Sequence, residues 1–237
     1  MFNKESPDKT ISLIGTLSAR YGDDAVANAL VSVEMRASSI PQVTALAKQL
    51  RTEQLSAWLD SGKSVDDVFE LLKLRQDGYK ALESPKLDVL DDYIAKFNAE
   101  KGGHETILKT FTRGLCGESN LMPFLEVAKL ELGTLGRAMD LEKKLLRQWA
   151  HDNLEPVDVM KLLKLDDKAE TVFTTVRLKI FEKYLAEFNK KNSTKRETLL
   201  GVLTSKFGEA EVATAVVWMT LRGSSRQDWR CSSWRDG

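Results

Sequence analysis

Val65, Val68, Phe69 and Leu72 fall at i, i+3, i+4 and i+7, the spacing that lines one face of an α-helix with apolar side chains. Leu87, Leu90, Ile94 and Phe97 repeat it with Tyr93 alongside, and Leu46, Leu50, Leu55, Trp58 and Leu59 trace a third stripe. No stretch keeps the strict alternation of a half-buried strand between hairpin turns. The pattern predicts an all-α chain. Helix starts can be read as well. Ser64 with Asp67 three residues on fits a capping box, and Pro85 and Pro156 stand where a first helical residue loses nothing by lacking an N–H. Asp23 and Glu209, just after Gly22 and Gly208, suit the positive end of a helix dipole.

The stripes are written twice. "AWLDSGKSVDDVFELLKL" begins at Ala57 and "QWAHDNLEPVDVMKLLKL" at Gln148, so Trp149 follows Trp58 by 91 positions. The same offset joins Val68 to Val159, Leu72 to Leu163, and "YIAKFN" from Tyr93 to "YLAEFN" from Tyr184, with no gap between. Chance does not produce that; the chain carries a duplication. A second motif precedes each tryptophan, with spaced Leu/Ile, an aromatic or Cys, then Gly and an acidic residue. Its copies begin at Ile11, Ile107 and Thr198. Gly117 to Gly208 is again 91, whereas Gly22 to Gly117 is 95. About four extra residues are therefore expected before Trp58, near "SSIPQ" (Ser38–Gln42). The third copy has no tryptophan partner after it.

This order predicts a first unit over 1–104, a second over 105–197, a partial third over 198–222 and an irregular tail over 223–237. Each full unit should hold four or five short helices, and stacking neighbours buries more core than one unit of roughly 90 residues can alone. Positions inside the stripes recur between copies while outward ones differ, as Asp66 against Val157 and Asp77 against Lys168.

The alternation of a W…DV…LLKL…Y(I/L)A(K/E)FN segment with a leucine-rich segment closing on Gly-acidic resembles the LWY tandem repeats of oomycete (Phytophthora-type) RxLR effectors, over roughly Ile11 to Met219. The resemblance implies helical-bundle LWY/WY units stacked into an elongated array. It implies that Trp58 with Tyr93, and Trp149 with Tyr184, form the structural core of the repeats, and that the leucine motif docks each unit on its neighbour. It further implies a secreted virulence protein that binds a host plant protein in the host cytoplasm or nucleus and suppresses immunity. Some family members with adjacent units act as regulatory-subunit mimics that recruit the type 2A serine/threonine phosphatase core, which makes its scaffold subunit the candidate partner. No RxLR or dEER delivery motif is visible, so the delivery segment is absent from this chain. No interface residue carries over, and the binding surface stays unassigned.

Composition narrows the alternatives. Lys+Arg and Asp+Glu both number 35 in 237 residues, which argues against nucleic-acid binding by bulk charge; the expected state is a monomer. The start "MFNKESPDKT" lacks a signal peptide's apolar run, and no segment suits a bilayer. Cys116 and Cys231 allow one disulfide at most, and Cys116, beside Leu115, reads as a buried free thiol. His104 and His151 are the only histidines and lack ligand-spaced partners. The carboxylate pairs Asp66-Asp67, Asp91-Asp92 and Asp166-Asp167 fall on polar faces or past a helix end. "GKS" at Gly62–Ser64 lacks the glycine spacing of a phosphate loop and reads as a turn into a helix. Catalytic, cofactor and metal assignments are therefore none. Two rivals remain: an unrecognised enzyme, and a double-stranded-RNA-binding silencing suppressor using Lys190, Lys191, Lys195 and Arg196, the one basic run.

Overall fold

The computed structural model describes residues 12–36 and 40–231, with side chains described through residue 221. Among these residues every regular element is helical. The first leucine motif gives α1 (Leu13–Tyr21) and α2 (Asp23–Arg36). The first tryptophan segment gives α3 (Pro41–Asp60), α4 (Val65–Leu71), a 3-10 helix (Gly78–Leu82) and α5 (Pro85–Lys101). The second leucine motif gives α6 (Ile107–Gly114) and α7 (Glu118–Ala128), followed by α8 (Leu132–His151), α9 (Pro156–Leu162), α10 (Ala169–Val172) and α11 (Val176–Lys191). The third gives α12 (Leu199–Phe207) and α13 (Glu209–Cys231).

The cap of α4 is the one the sequence announces, and further ones appear in the structure. Ser64 accepts from the Asp67 N–H while Asp67 accepts from the Ser64 N–H, closing the capping box. Ser12, Thr106 and Thr198 each accept from the N–H three residues on, opening α1, α6 and α12 alike. Gly22, Gly117 and Gly208 have φ of 87°, 111° and 87°, a region closed to a Cβ, which is why the motif needs glycine between its two helices. At 62 and 153 the repeat also requires positive φ, 76° and 53°, and supplies Gly62 once and Asn153 the other time.

The extra residues of the first copy fall before Pro41. α3 and α8 are both 20 residues long and start 91 apart, whereas α2 has 14 residues against 11 in α7. Ala37–Ser39 and Ile11, on which parts of these readings fall, lie outside the described residues. Several expectations need correction. The helices are not all short, since α3 and α8 make more than five turns each. Leu46 is 52% exposed, because Ala47 and Leu50 take the inward side of α3. Cys116 is exposed rather than buried: with Gly117 it adopts positive φ and turns its thiol outward, 4.0 Å from an Arg75 guanidinium nitrogen. α13 continues through Cys231, past the point where an irregular tail is expected to begin at 223; its Gly and Ser lower helix propensity without breaking a nucleated helix. Residues 232–237 lie outside the description.

The chain forms two compact units, one of Met1–Gly117 with Val127–Met139, the other of Glu118–Glu126 with Asp140–Gly237. α6, which the sequence groups with the second repeat, packs in the first of these. There α2 lies on α3 and α5, and α6 lies on α4. Phe69 and Phe111 meet edge to face at 5.2 Å and 78°, and the Gly114 backbone passes so close to Phe69 that a Cβ would lie 2.5 Å from its Cε1. Arg113 closes the same contact from outside, pairing with Asp66 through two nitrogens and with Glu105. In the second compact unit α9 receives α11 and α12, and α10 receives α13.

Candidate functional site

The tryptophan and tyrosine helices meet at one point in each compact unit. Trp58 and Tyr93 lie edge to face at 6.0 Å and 73°, and Trp149 and Tyr184 at 5.8 Å and 82°. None of the four rings is more than 5% exposed. Edge-to-face contact sets the positive rim of one ring on the negative face of the other. Each tyrosine hydroxyl donates to the main-chain carbonyl that follows the preceding turn: Tyr93 to Lys63 at 2.6 Å, Tyr184 to Leu154 at 2.5 Å. The phenol thus fastens the loop between its neighbours as well as filling the core. The copies differ in one bond. The Trp58 indole N–H donates to Asp23 at 3.2 Å, while that of Trp149 is buried without an acceptor.

Burial pushes both phenols from 10 up to about 12, helped by Asp67 near Tyr93 and by Glu155 and Asp158 near Tyr184. The folded state therefore holds these protons more tightly than the unfolded chain. The stability this confers is complete below pH 10 and is lost as pH rises toward 12. The urea midpoint of the protein is expected to fall across that window, in step with the tyrosinate absorbance, and Tyr93→Phe/Tyr184→Phe should flatten the fall. A midpoint that ignores pH between 10 and 12 would contradict the burial argument.

Two features of the repeat went unread in the sequence. Asn98 and Asn189 each use their side-chain amide to bracket the loop to the next leucine motif. Asn98 donates to the Glu105 carbonyl and accepts from its N–H, at 2.9 and 2.8 Å; Asn189 does the same with Glu197 at 2.7 and 2.8 Å. The signal was the recurrent Asn closing "FN". The second feature is ionic. Arg51 of α3 pairs with Asp92 of α5 and with Glu34, and at the same repeat positions Glu142 of α8 pairs with Lys183 of α11 at 2.6 Å. The contact is kept and its polarity is reversed.

Among the described residues the acidic pairs make structural contacts. Asp66 holds Arg113, Asp67 caps α4, and its acidity is raised by the Ser64 N–H and hydroxyl. A surface groove between α1, α2 and α4 brings together Asp23, Asp24, Asp67, Glu70, Lys63 and Lys73, but Asp23 accepts from Trp58, Asp24 pairs with Lys73 and Glu70 with Arg75. Asp91 and Asp92 are exposed on α5 and Asp166-Asp167 follow α9. His104 and His151 are exposed, and among the described residues no His/Cys/Asp/Glu group could hold a metal. Of the basic run, Lys190 pairs with Glu187, Lys195 with Glu155, and Lys191 bonds the Ala150 carbonyl and Asn153. No helix of the described residues is long and apolar enough to cross a membrane.

What distinguishes the copies lies outside. On α3 and at its N-cap, Ile40, Val43 and Leu46 are 51%, 40% and 52% exposed; the second copy carries an exposed Glu131 and Arg137 opposite Ile40 and Leu46, and a buried Thr134 opposite Val43. Leu130 and Leu132 reach 83% and 92% exposure where the first copy has Ser39 and Pro41. Apolar groups held in water on a folded scaffold are the usual material of protein-binding surfaces.

No protein-family model matches the chain. It is 43% identical over 219 residues to an RxLR effector protein of Phytophthora infestans (strain T30-4), covering 91% of this chain and 30% of that protein. A second RxLR effector protein of the same organism is 36% identical over 217 residues, 91% of this chain and 41% of the relative. The chain is a homologue of the Phytophthora RxLR effectors. RxLR effector protein PSR2 of Phytophthora sojae is 29% identical over 217 residues, with 32% of its length covered. The crystal structure of PcRxLR12 superposes with a TM-score of 0.54 at 28% identity, over 90% of this chain and 51% of that one. This RxLR homologue thus spans less than half the length of each of these three curated relatives, and both its all-α class and its helical repeat units agree with the solved relative.

Proposed function

We propose that this chain is part of a secreted virulence effector that works inside plant cells by binding a host protein, without catalysis of its own. The observation that carries the reading is the contrast between copies: the buried rings and the tyrosine hydroxyl bonds recur at 91 residues, while exposed positions such as Ile40 and Glu131, or Leu46 and Arg137, diverge. A scaffold kept and surfaces varied is what partner recognition requires. RxLR relatives that align over nine-tenths of this chain support the effector class.

Within that class the partner proposed is the scaffold subunit of the type 2A serine/threonine phosphatase, with the chain acting as a regulatory-subunit mimic. Two adjacent tryptophan–tyrosine units are the amount of chain such a mimic uses. The test is capture from plant extract on immobilised protein, followed by mass spectrometry. Recovery of the phosphatase scaffold subunit above a Trp149→Ala control is expected. Its absence removes the phosphatase reading. Recovery of a different host protein keeps the binding function and replaces the partner. RNA binding has weaker support, since ion pairs and carbonyls already engage Lys190, Lys191 and Lys195; it predicts a salt-sensitive gel shift.

A further inference from the structure

We propose that the reversed ion pair is a pairing code: it makes each tryptophan helix select its own tyrosine helix while the duplicated chain folds. The problem it meets is set by the repeat itself. α3 and α8 present the same inward residues, Ala47 and Ala138, Leu50 and Leu141, Trp58 and Trp149, and α5 and α11 answer with Tyr93 and Tyr184. The aromatic core therefore fits the exchanged pairings, α8 with α5 or α3 with α11, nearly as well as the native ones. Chain length discriminates weakly. Arg51 and Asp92 are 41 residues apart, whereas by number Asp92 and Glu142 are 50 apart and Arg51 and Lys183 are 132 apart, so the loop-closure term favours the native partner about 1.3-fold over the first exchange and about 6-fold over the second.

Charge does discriminate. In the native pairings Arg51 meets Asp92 and Glu142 meets Lys183. Exchange brings Glu142 to Asp92 and Arg51 to Lys183, so both wrong contacts set like charges together. Escape into solvent is limited, because the side chains of Arg51 and Glu142 are only 13% and 11% exposed. The inner member of each pair sits on the tryptophan helix and the outer, more exposed member on the tyrosine helix, the same arrangement with the signs inverted. An ionic contact with one member buried can select among alternative packings even where it adds little stability, as in coiled-coil register choice, and exchange of identical elements is a characteristic misassembly of repeat proteins.

The test gives both units one polarity. Glu126→Gln/Glu142→Arg/Lys183→Asp keeps an ion pair in the second unit, the Glu126 change being added because Lys183 also pairs with Glu126 and two carboxylates would otherwise meet there. Glu126→Gln/Glu142→Gln/Lys183→Gln is the companion variant, which leaves none of these three charges stranded. Each is refolded from urea over a range of concentrations, and the oligomer fraction is read by size exclusion with light scattering, next to helicity and Tm. Both variants are expected to keep wild-type helicity while the exchanged, oligomeric fraction rises several-fold. Arg51→Lys/Asp92→Glu, which preserves the code, should refold as wild type does. If the charged variant does not fold, the neutral one decides. An oligomer fraction equal to wild type in the folded variants overturns the proposal, as does an equal rise in Arg51→Lys/Asp92→Glu.

Discussion

Alanine at Trp58 will destabilise its compact unit by about 3–5 kcal/mol, the range for emptying a buried aromatic site, and alanine at Trp149 will do the same to the other. Against a total stability of about 5–15 kcal/mol for a domain, either change removes a fifth or more of what holds its unit folded. The size of the effect follows from the packing. Each indole is nearly fully buried and edge-on to a tyrosine that is itself fully buried and pinned by its hydroxyl to a carbonyl. Nothing nearby is free to collapse into the space. Urea melts followed by circular dichroism should separate the two units, one transition shifting in each variant. Phenylalanine sharpens the comparison. Trp58→Phe also removes the bond to Asp23, whereas Trp149→Phe removes an N–H that has no acceptor, so Trp58→Phe should be the costlier by about 1 kcal/mol. A Trp58→Ala protein with unchanged melting that had lost only partner binding would make the tryptophan a contact residue and end the core assignment.

Phe111→Ala is expected to cost the first compact unit a similar 3–5 kcal/mol and to release α6 from α4. Phe111 and Phe69 are each 1% exposed and pack edge to face. The Gly114 backbone lies against the Phe69 ring where any side chain would collide, so α6 approaches α4 closely at this contact. Arg113 with Asp66 and Glu105 remains, but pairs this exposed are worth only about 0–1 kcal/mol. Hydrogen exchange should show the α6 amides losing protection before those of α3. Protection of α6 that matches wild type would mean the ion pairs, and not the rings, hold the helix.

Periodicity and subtraction made the repeat, the helix starts and the buried rings readable, because each depends on local spacing. What escaped depends on which apolar or charged groups find a partner across the fold. Leu46 belongs to an apolar stripe by composition, yet Ala47 and Leu50 set the inward direction of α3 and leave it in water. Cys116 follows a leucine in an apolar pattern, but two successive positive-φ residues rotate its thiol outward. The Arg51–Asp92 and Glu142–Lys183 exchange was present in the letters at an offset of 91. It was missed because a comparison of copies weighs identity, and a pair that changes both signs looks like two unrelated differences. Only the distance between partners reveals it as one retained contact. The variable outer positions were legible as variable; which of them a partner covers is a property of the partner's shape.

The asparagine clamp gives the repeat a joint that is blind to its own loop. Asn98 and Asn189 bind only main-chain atoms of Glu105 and Glu197, and they do so across seven residues in one copy and eight in the other. "AEKGGH" and "KKNSTKR" therefore serve equally well between the clamp points. A gene segment ending in such a joint can be copied, lengthened by a codon or recharged without undoing the fold beside it, so the evolvability of the array rests on one amide side chain per repeat.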